Sequence, residues 1–239
     1  MSAMAFAVIA IAVCLASCMQ ASIGFGMGML AAPVVALVEP SLLPGTLIAS
    51  ATVVSLMVVV RERTSLDLRG TGWALAGRIP GTIAGALLLM WLPERGLALM
   101  LAAVVLSGVV LAGLGWQPMP LRRNLATAGA ASGLLGTATS IGGPPMALVM
   151  SGEEGAKVRS NMSAFFLVGS LMSLGALLAT GHLHTDIALT VVALIPAVVA
   201  GYVASRFVNR HLDKGRLRAA SIAVSSLGAV LLIGQQLFF

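Results

Sequence analysis

Long apolar stretches, separated by short clusters of charge, set the pattern of this chain. Glu39 is the one charged side chain between positions 1 and 60, and 96–121, 124–152, 160–185, 187–205 and 219–239 carry none. A helix on the surface of a soluble domain needs a polar face, but these stretches are apolar all round. They are also long enough to cross a hydrocarbon layer of about 30 Å, which takes roughly 20 helical residues. Lipid offers the backbone no hydrogen bonds, so the spans must be helices or a closed barrel, and the period-2 alternation of a barrel is missing. The pattern predicts an all-α integral membrane protein.

The apolar pattern is written twice. Residues 21–37 read ASIGFGMGMLAAPVVAL and 131–148 read ASGLLGTATSIGGPPMAL, each a Gly/Pro break inside an apolar run. Pairing Gly24 with Gly136 also pairs Pro33 with Pro145, whereas pairing Ser22-Ile23-Gly24 with Ser140-Ile141-Gly142 shifts the register by six. Ile79-Pro80 followed by Gly85 is echoed by Ile195-Pro196 followed by Gly201. Two transmembrane repeats are expected, 1–116 and 117–239, each an interrupted re-entrant or hairpin helix followed by three uninterrupted ones. The first half reads as 3–38 with a break near 22–32, then 41–60, 70–91 and 96–115. The second reads as 124–152 with a break at 136–145, then 157–180, 187–206 and 216–237.

Lys and Arg accumulate in cytoplasmic loops, and their distribution decides between two topologies. If each interrupted segment crosses once, the halves are parallel and the loops divide about 8 to 5, with Arg78 set aside as lying within a span. If each turns back, the repeats are inverted. One side then holds Arg61, Arg63, Arg69, Arg122, Arg123, Lys157, Arg159, Arg206, Arg210, Lys214, Arg216 and Arg218, against Arg95 on the other. The asymmetry predicts inverted repeats with both termini outside.

Composition agrees: the chain is 59% hydrophobic and 9% charged, which leaves too few polar groups to cover a soluble surface. The net charge of +6 would suggest nucleic acid in a soluble chain, but here it lies between spans and sets orientation, so no nucleic-acid partner is expected. Cys14 and Cys18 stand four apart on one helical face and read as small residues at a helix contact. No Lys or Arg precedes the first apolar stretch, so no cleavable signal peptide is expected.

The two breaks are the leading functional candidates, because non-helical backbone at membrane depth is tolerated where it is buried or lines a cavity. Gly142 and Gly143 let the chain turn, and Pro144 and Pro145 suit the first turn of a following helix. Pro33 is expected to open a helix in the same way. A helix N-terminus offers N–H donors and partial positive charge to an anion. Gly24, Gly26, Gly28 and Gly136 belong to the same breaks, with Ser22, Thr137, Thr139 and Ser140 beside them and Ser50 and Asn161 as further polar lining. The alternative is that the small residues serve close helix packing. Arg78 lies about mid-depth in its span, where an ionisable group is a functional hypothesis; snorkelling to the interface is its other reading.

All eight carboxylates fall in loops or at span ends, so no buried proton relay is visible. His182, His184 and Asp186 read as a solvated loop, and neither a metal nor a cofactor is expected. No metalloprotease, nucleophile-elbow or phosphate-loop motif is present, which leaves an enzyme or an ATP-driven pump without support.

The stretch Gly133-Leu134-Leu135-Gly136-Thr137-Ala138-Thr139-Ser140-Ile141-Gly142-Gly143-Pro144-Pro145 resembles the Gly-rich signature of the sulfite exporter TauE/SafE family. Length, repeat organisation and the weaker first copy, Gly24 to Pro33, fit as well, although the first copy dilutes its glycines. The resemblance implies a bacterial inner-membrane permease exporting sulfite, an organosulfonate or another small organic anion. A drug/metabolite-type carrier of neutral or cationic metabolites, or a non-transporting membrane subunit, are the rival readings. The anion, the coupling ion and the oligomeric state, a homo-oligomer included, stay open.

Overall fold

The computed structural model describes residues 2–113, 118–150, 153, 155–183 and 185–211. These residues fold entirely into helices and connecting turns, with no strand among them. The helices are α1 (Ala3–Ile23), α2 (Met27–Val38), α3 (Gly45–Glu62), α4 (Leu68–Trp91), α5 (Glu94–Gly113), α6 (Arg122–Thr139), α7 (Gly143–Val149), α8 (Gly155–Ala179) and α9 (Thr185–His211). The helix expected over 216–237 lies outside the described residues.

Both expected interruptions are present, and each is shorter than the sequence suggested. α1 stops at Gly24, which has φ 94° and donates its N–H to Gln20 O, and α2 begins three residues later. α6 stops at Ser140, which has φ 65° and bonds Gly136 O, and α7 begins at Gly143. Left-handed closure of a helix is a common C-terminal device. Glycine provides it without strain in the first half, while serine adopts it in the second. The returning arms are short: α2 is about 18 Å long and α7 about 10 Å at 1.5 Å per residue, both well under a hydrocarbon thickness.

Three pairs of similar backbone features share one spacing. Gly24 and Ser140, the helix-start caps Gly26 and Gly142, and the mid-helix Pro80 and Pro196 are all 116 positions apart. Of the matches read from the sequence, Ile79-Pro80 with Ile195-Pro196 has this offset, whereas Gly24 with Gly136 and Ser22 with Ser140 do not. Pro33 does not open a helix either. Gly26, with φ 129°, starts α2, and Pro33 sits inside it, forgoing one intrahelical bond.

Packing is organised in pairs. α4 and α6 form the closest contact and run parallel, with Gly77, Gly81 and Gly85 laid against the carbonyls of Ala126, Ala130 and Leu134. A Cβ at Gly77 would stand 1.9 Å from Ala126 O, so only glycine permits this approach. α1 and α9 form the next pair, where Gly201 lies against Cys14 O, and both cysteines are free. α3 and α8 cross antiparallel: Glu62 meets Arg159 and Ser160, and Thr52 meets Ser170. One apolar core gathers around α1 and α2, a second around α6, α7 and the start of α8, and Phe25 packs against both.

Outward surfaces are apolar, with Met4, Ile11, Leu15, Leu87, Trp91, Leu171, Leu178, Leu189 and Val192 exposed. Five described helices are long and apolar enough to span a membrane: α1, α3, α4, α8 and α9. α6 is not among them because it is rich in Gly, Ala, Ser and Thr. Its neighbours α4, α7 and α8 supply its solvent in place of lipid. The chain is a multi-pass membrane protein.

Candidate functional site

Arg78, ten residues into α4, is the residue around which the second break is built. Its side chain is 2% exposed, so it does not snorkel. The guanidinium lies over the Phe165 ring at 4.7 Å and near Phe166 at 5.7 Å. Gly169 leaves room for it: a Cβ there would stand 2.0 Å from Nε. Nη1 donates to Ser132 Oγ at 3.3 Å, and Ser132 Oγ donates to Gly142 O at 2.6 Å. The charge on α4 is thereby tied through α6 to the turn before α7. Nε has no hydrogen-bond partner, no described carboxylate pairs with Arg78, and Thr82 Oγ1, one turn further on, is also buried without a partner. A buried charge is normally answered by an opposite one, since each unanswered ion costs several kcal/mol.

The two breaks meet. A Cβ on Gly28 would stand 1.9 Å from Ser140 O, and one on Gly143 would stand 2.9 Å from Phe25 Cδ2. Gly24 packs against the start of α8 at Arg159 and Met162, and Gly26 against Met19. Ser140 Oγ donates to Pro44 O at 3.0 Å, which fixes the second break to the head of α3. Gly136 lies within α6 rather than in the break, facing Gly142 and the Arg78 guanidinium. Close approach of the breaks and free backbone at the turn are thus served by the same glycines.

Other candidates are placed differently. Thr137 Oγ1 is 2.8 Å from Ser173 Oγ of α8, and Thr139 donates to Leu135 O while accepting from Ile141 N. Ser22 is buried in the last turn of α1. Ser50 turns its hydroxyl onto Thr46 O of its own helix, and Asn161 accepts the Asp67 N–H at 2.7 Å. Pro144 is buried at the head of α7, while Pro145 lines a separate cavity with Leu148 and Val149. The two prolines also weaken the helix-terminus argument. Of the first-turn groups of α7, they have no N–H, so Gly142 and Gly143 alone can donate. The positive charge at this break comes mainly from Arg78. His182 Nδ1 lies 3.1 Å from Thr180 Oγ1, and His184 is outside the described residues.

Two polar residues that are not among the sequence candidates join these elements. Ser132 is the link between Arg78 and Gly142. Gln20, buried in the first break, donates to Ala51 O and Ser55 Oγ and accepts from Met27 N, holding α2 to α1 and α3. Gln20 is the one amide side chain in its apolar run, whereas Ser132 is one of several small hydroxyl residues of α6 and nothing local sets it apart.

At one end of the bundle Arg61 Nη2 donates to Ala21 O at 2.8 Å and to Glu62, and Arg159 Nε also bonds Glu62. Arg61 and Arg206 face the Tyr202 ring, and Arg122 lies over Trp73.

A family model described as Sulfite exporter TauE/SafE matches residues 9–232, nearly the whole chain. No curated protein and no solved structure matches it.

Proposed function

The chain belongs to the sulfite exporter TauE/SafE family, a family of membrane transporters, and we propose that it exports a small anion, sulfite or an organosulfonate or organic acid, through a site between its two broken helices. The observation that carries this reading is Arg78: a mid-span cation, almost fully buried, with an unpartnered Nε and no carboxylate partner among the described residues. An anion seated there would answer both the charge and the free donor. Ser132, through its bond to Gly142 O, would report occupancy to the break.

The transport cycle we propose is a rocking or gating of two inverted repeats around that point. Support comes from the 116-residue spacing of matched backbone features, from the antiparallel crossing of α3 and α8, and from the matched pairs α4 with α6 and α9 with α1. The site is not two-fold: the position matching Arg78 is Leu194, fully buried in apolar surroundings. The gathering of Arg61, Arg159, Arg206 and Arg122 toward one end supports a cytoplasmic face there and termini on the periplasmic side of the inner membrane. An anion leaving a cell held negative inside gains about 2.3 kcal/mol per charge per 100 mV, so export can run as a uniport without a protein acid.

Counterflow in proteoliposomes across sulfite, sulfate, thiosulfate, sulfoacetate and acetate tests the reading. Exchange of at least one of these anions is expected; exchange of neutral or cationic metabolites instead, or none at all, contradicts it.

A further inference from the structure

Below Arg78, toward the arginine-rich end, the starts of α4 and α8 enclose a cavity of about 80 Å³ lined by Asp67, Thr71, Glu153, Lys157, Asn161 and Phe165. At 10–15 Å³ per water, it has room for roughly five to eight waters or a small oxyanion. Its charged walls are already engaged: Asp67 accepts from the N–H groups of Arg69 and Gly70, and Glu153 pairs with Lys157 at 2.8 Å. Its neutral donors are not. Thr71 is 7% exposed and its Oγ1 has no partner. Asn161 uses its oxygen on the Asp67 N–H, so what it has left to offer is the Nδ2 donor.

Thr71, Arg78 and Thr82 recur at intervals of seven and four along α4, which places them on one helical face. Each carries a buried polar atom without a partner. Two turns, about 11 Å, separate Thr71 from Arg78. Between them stands one ring. Phe165 is fully buried, lines the cavity on one side and stacks on the guanidinium on the other.

We infer that this cavity is the vestibule through which a small anion reaches Arg78 from the arginine-rich end, with Thr71 and Asn161 as its hydrogen-bond donors and the Phe165 ring as the barrier. The inference rests on the transport reading above. In the structure described here the barrier is closed, because the ring covers the cation. Movement of the ring off the guanidinium joins the vestibule to Arg78 and Thr82, exchanging a cation–π contact for an ion pair.

The test uses the full chain with Cys14→Ser and Cys18→Ser, carrying either Thr71→Cys or Thr82→Cys, in membrane vesicles that expose the arginine-rich end to an anionic methanethiosulfonate. Thr71→Cys should react, and Thr82→Cys should react at least tenfold more slowly. Adding Phe165→Ala should speed modification of Thr82→Cys at least tenfold and leave that of Thr71→Cys unchanged. Phe165→Leu, gentler on the core, should produce a several-fold rise in the same direction. An inert Thr71→Cys, or a Thr82→Cys rate indifferent to both changes at Phe165, overturns the vestibule. Counterflow by the cysteine-free parent reports on transport separately, so an active parent with indifferent labelling refutes the route and leaves the transporter standing.

Discussion

Replacing Gly169 by alanine adds one methyl group on α8 and tests whether Arg78 must lie where it does. That methyl would stand 2.0 Å from Nε, 2.3 Å from Cζ and 2.4 Å from Cδ of Arg78. Heavy atoms settle at about 3.5 Å, so the guanidinium has to retreat by roughly 1.5 Å. Phe165 and Phe166 limit where it can go, so it slides off its stack and away from Ser132. A desolvated cation–π contact is worth about 2 kcal/mol, and a hydrogen bond to a charged group about 1.5–3. The ring contact is given up on binding in any case, so the loss that reaches affinity is the charged hydrogen bond that the displaced guanidinium no longer makes, about 1.5–3 kcal/mol or roughly 10- to 140-fold at 1.4 kcal/mol per tenfold. The assay is calorimetric titration of sulfite into purified, correctly inserted protein. Gly175→Ala is the control on the same helix: a Cβ there meets nothing within 4 Å, and it should gain up to about 1 kcal/mol in helix propensity. If Gly169→Ala binds as tightly as Gly175→Ala, the guanidinium does not hold the anion.

Ser132→Ala removes the acceptor of Arg78 and leaves Gly142 O without its donor; a stability loss of about 1–3 kcal/mol in thermal unfolding is expected, together with slower counterflow. Gly28→Ala sets a methyl against backbone, Ser140 O, rather than against a flexible side chain, so the breaks should separate and counterflow should be lost even where the protein inserts. For orientation, single cysteines at Thr64 and Met119 should be shielded from an impermeant reagent outside intact cells while one at Ser41 reacts, and the opposite pattern would invert the topology.

Helix number and type were legible in the described part of the chain because charge is excluded from spans, and the two breaks were legible because Gly and Pro mark them. Their register was not. What repeats at 116 residues is a backbone role, the left-handed helix end, and Gly24 fills it in one half and Ser140 in the other. Side-chain matching therefore slid to the nearest similar letters. Pro33 misled for a related reason: a proline within an apolar run suggests a helix start, but the φ of 129° at Gly26 marks the true one. Arg78 was visible as an ionisable residue in a span, whereas its shelter was not. Gly169 and Phe165 lie about ninety residues further along the chain, and no local pattern announces that α8 leaves a gap for α4. Gln20 was within reach of a similar rule, since a buried amide in an apolar run needs a partner, but Ser132 stands among several hydroxyl residues of α6 and carried no mark of its own. Where the polar side chains Ser50 and Asn161 point depends on rotation of a helix about its axis, which apolar-all-round sequences do not encode.

The most direct measurement is titration of the best counterflow anion into the native protein, Arg78→Lys and Arg78→Gln, each checked for insertion and unfolding temperature. The account predicts that Arg78→Gln abolishes measurable binding and that Arg78→Lys retains part of it, because charge survives while the planar fork does not. Undiminished binding by a folded Arg78→Gln protein would contradict it.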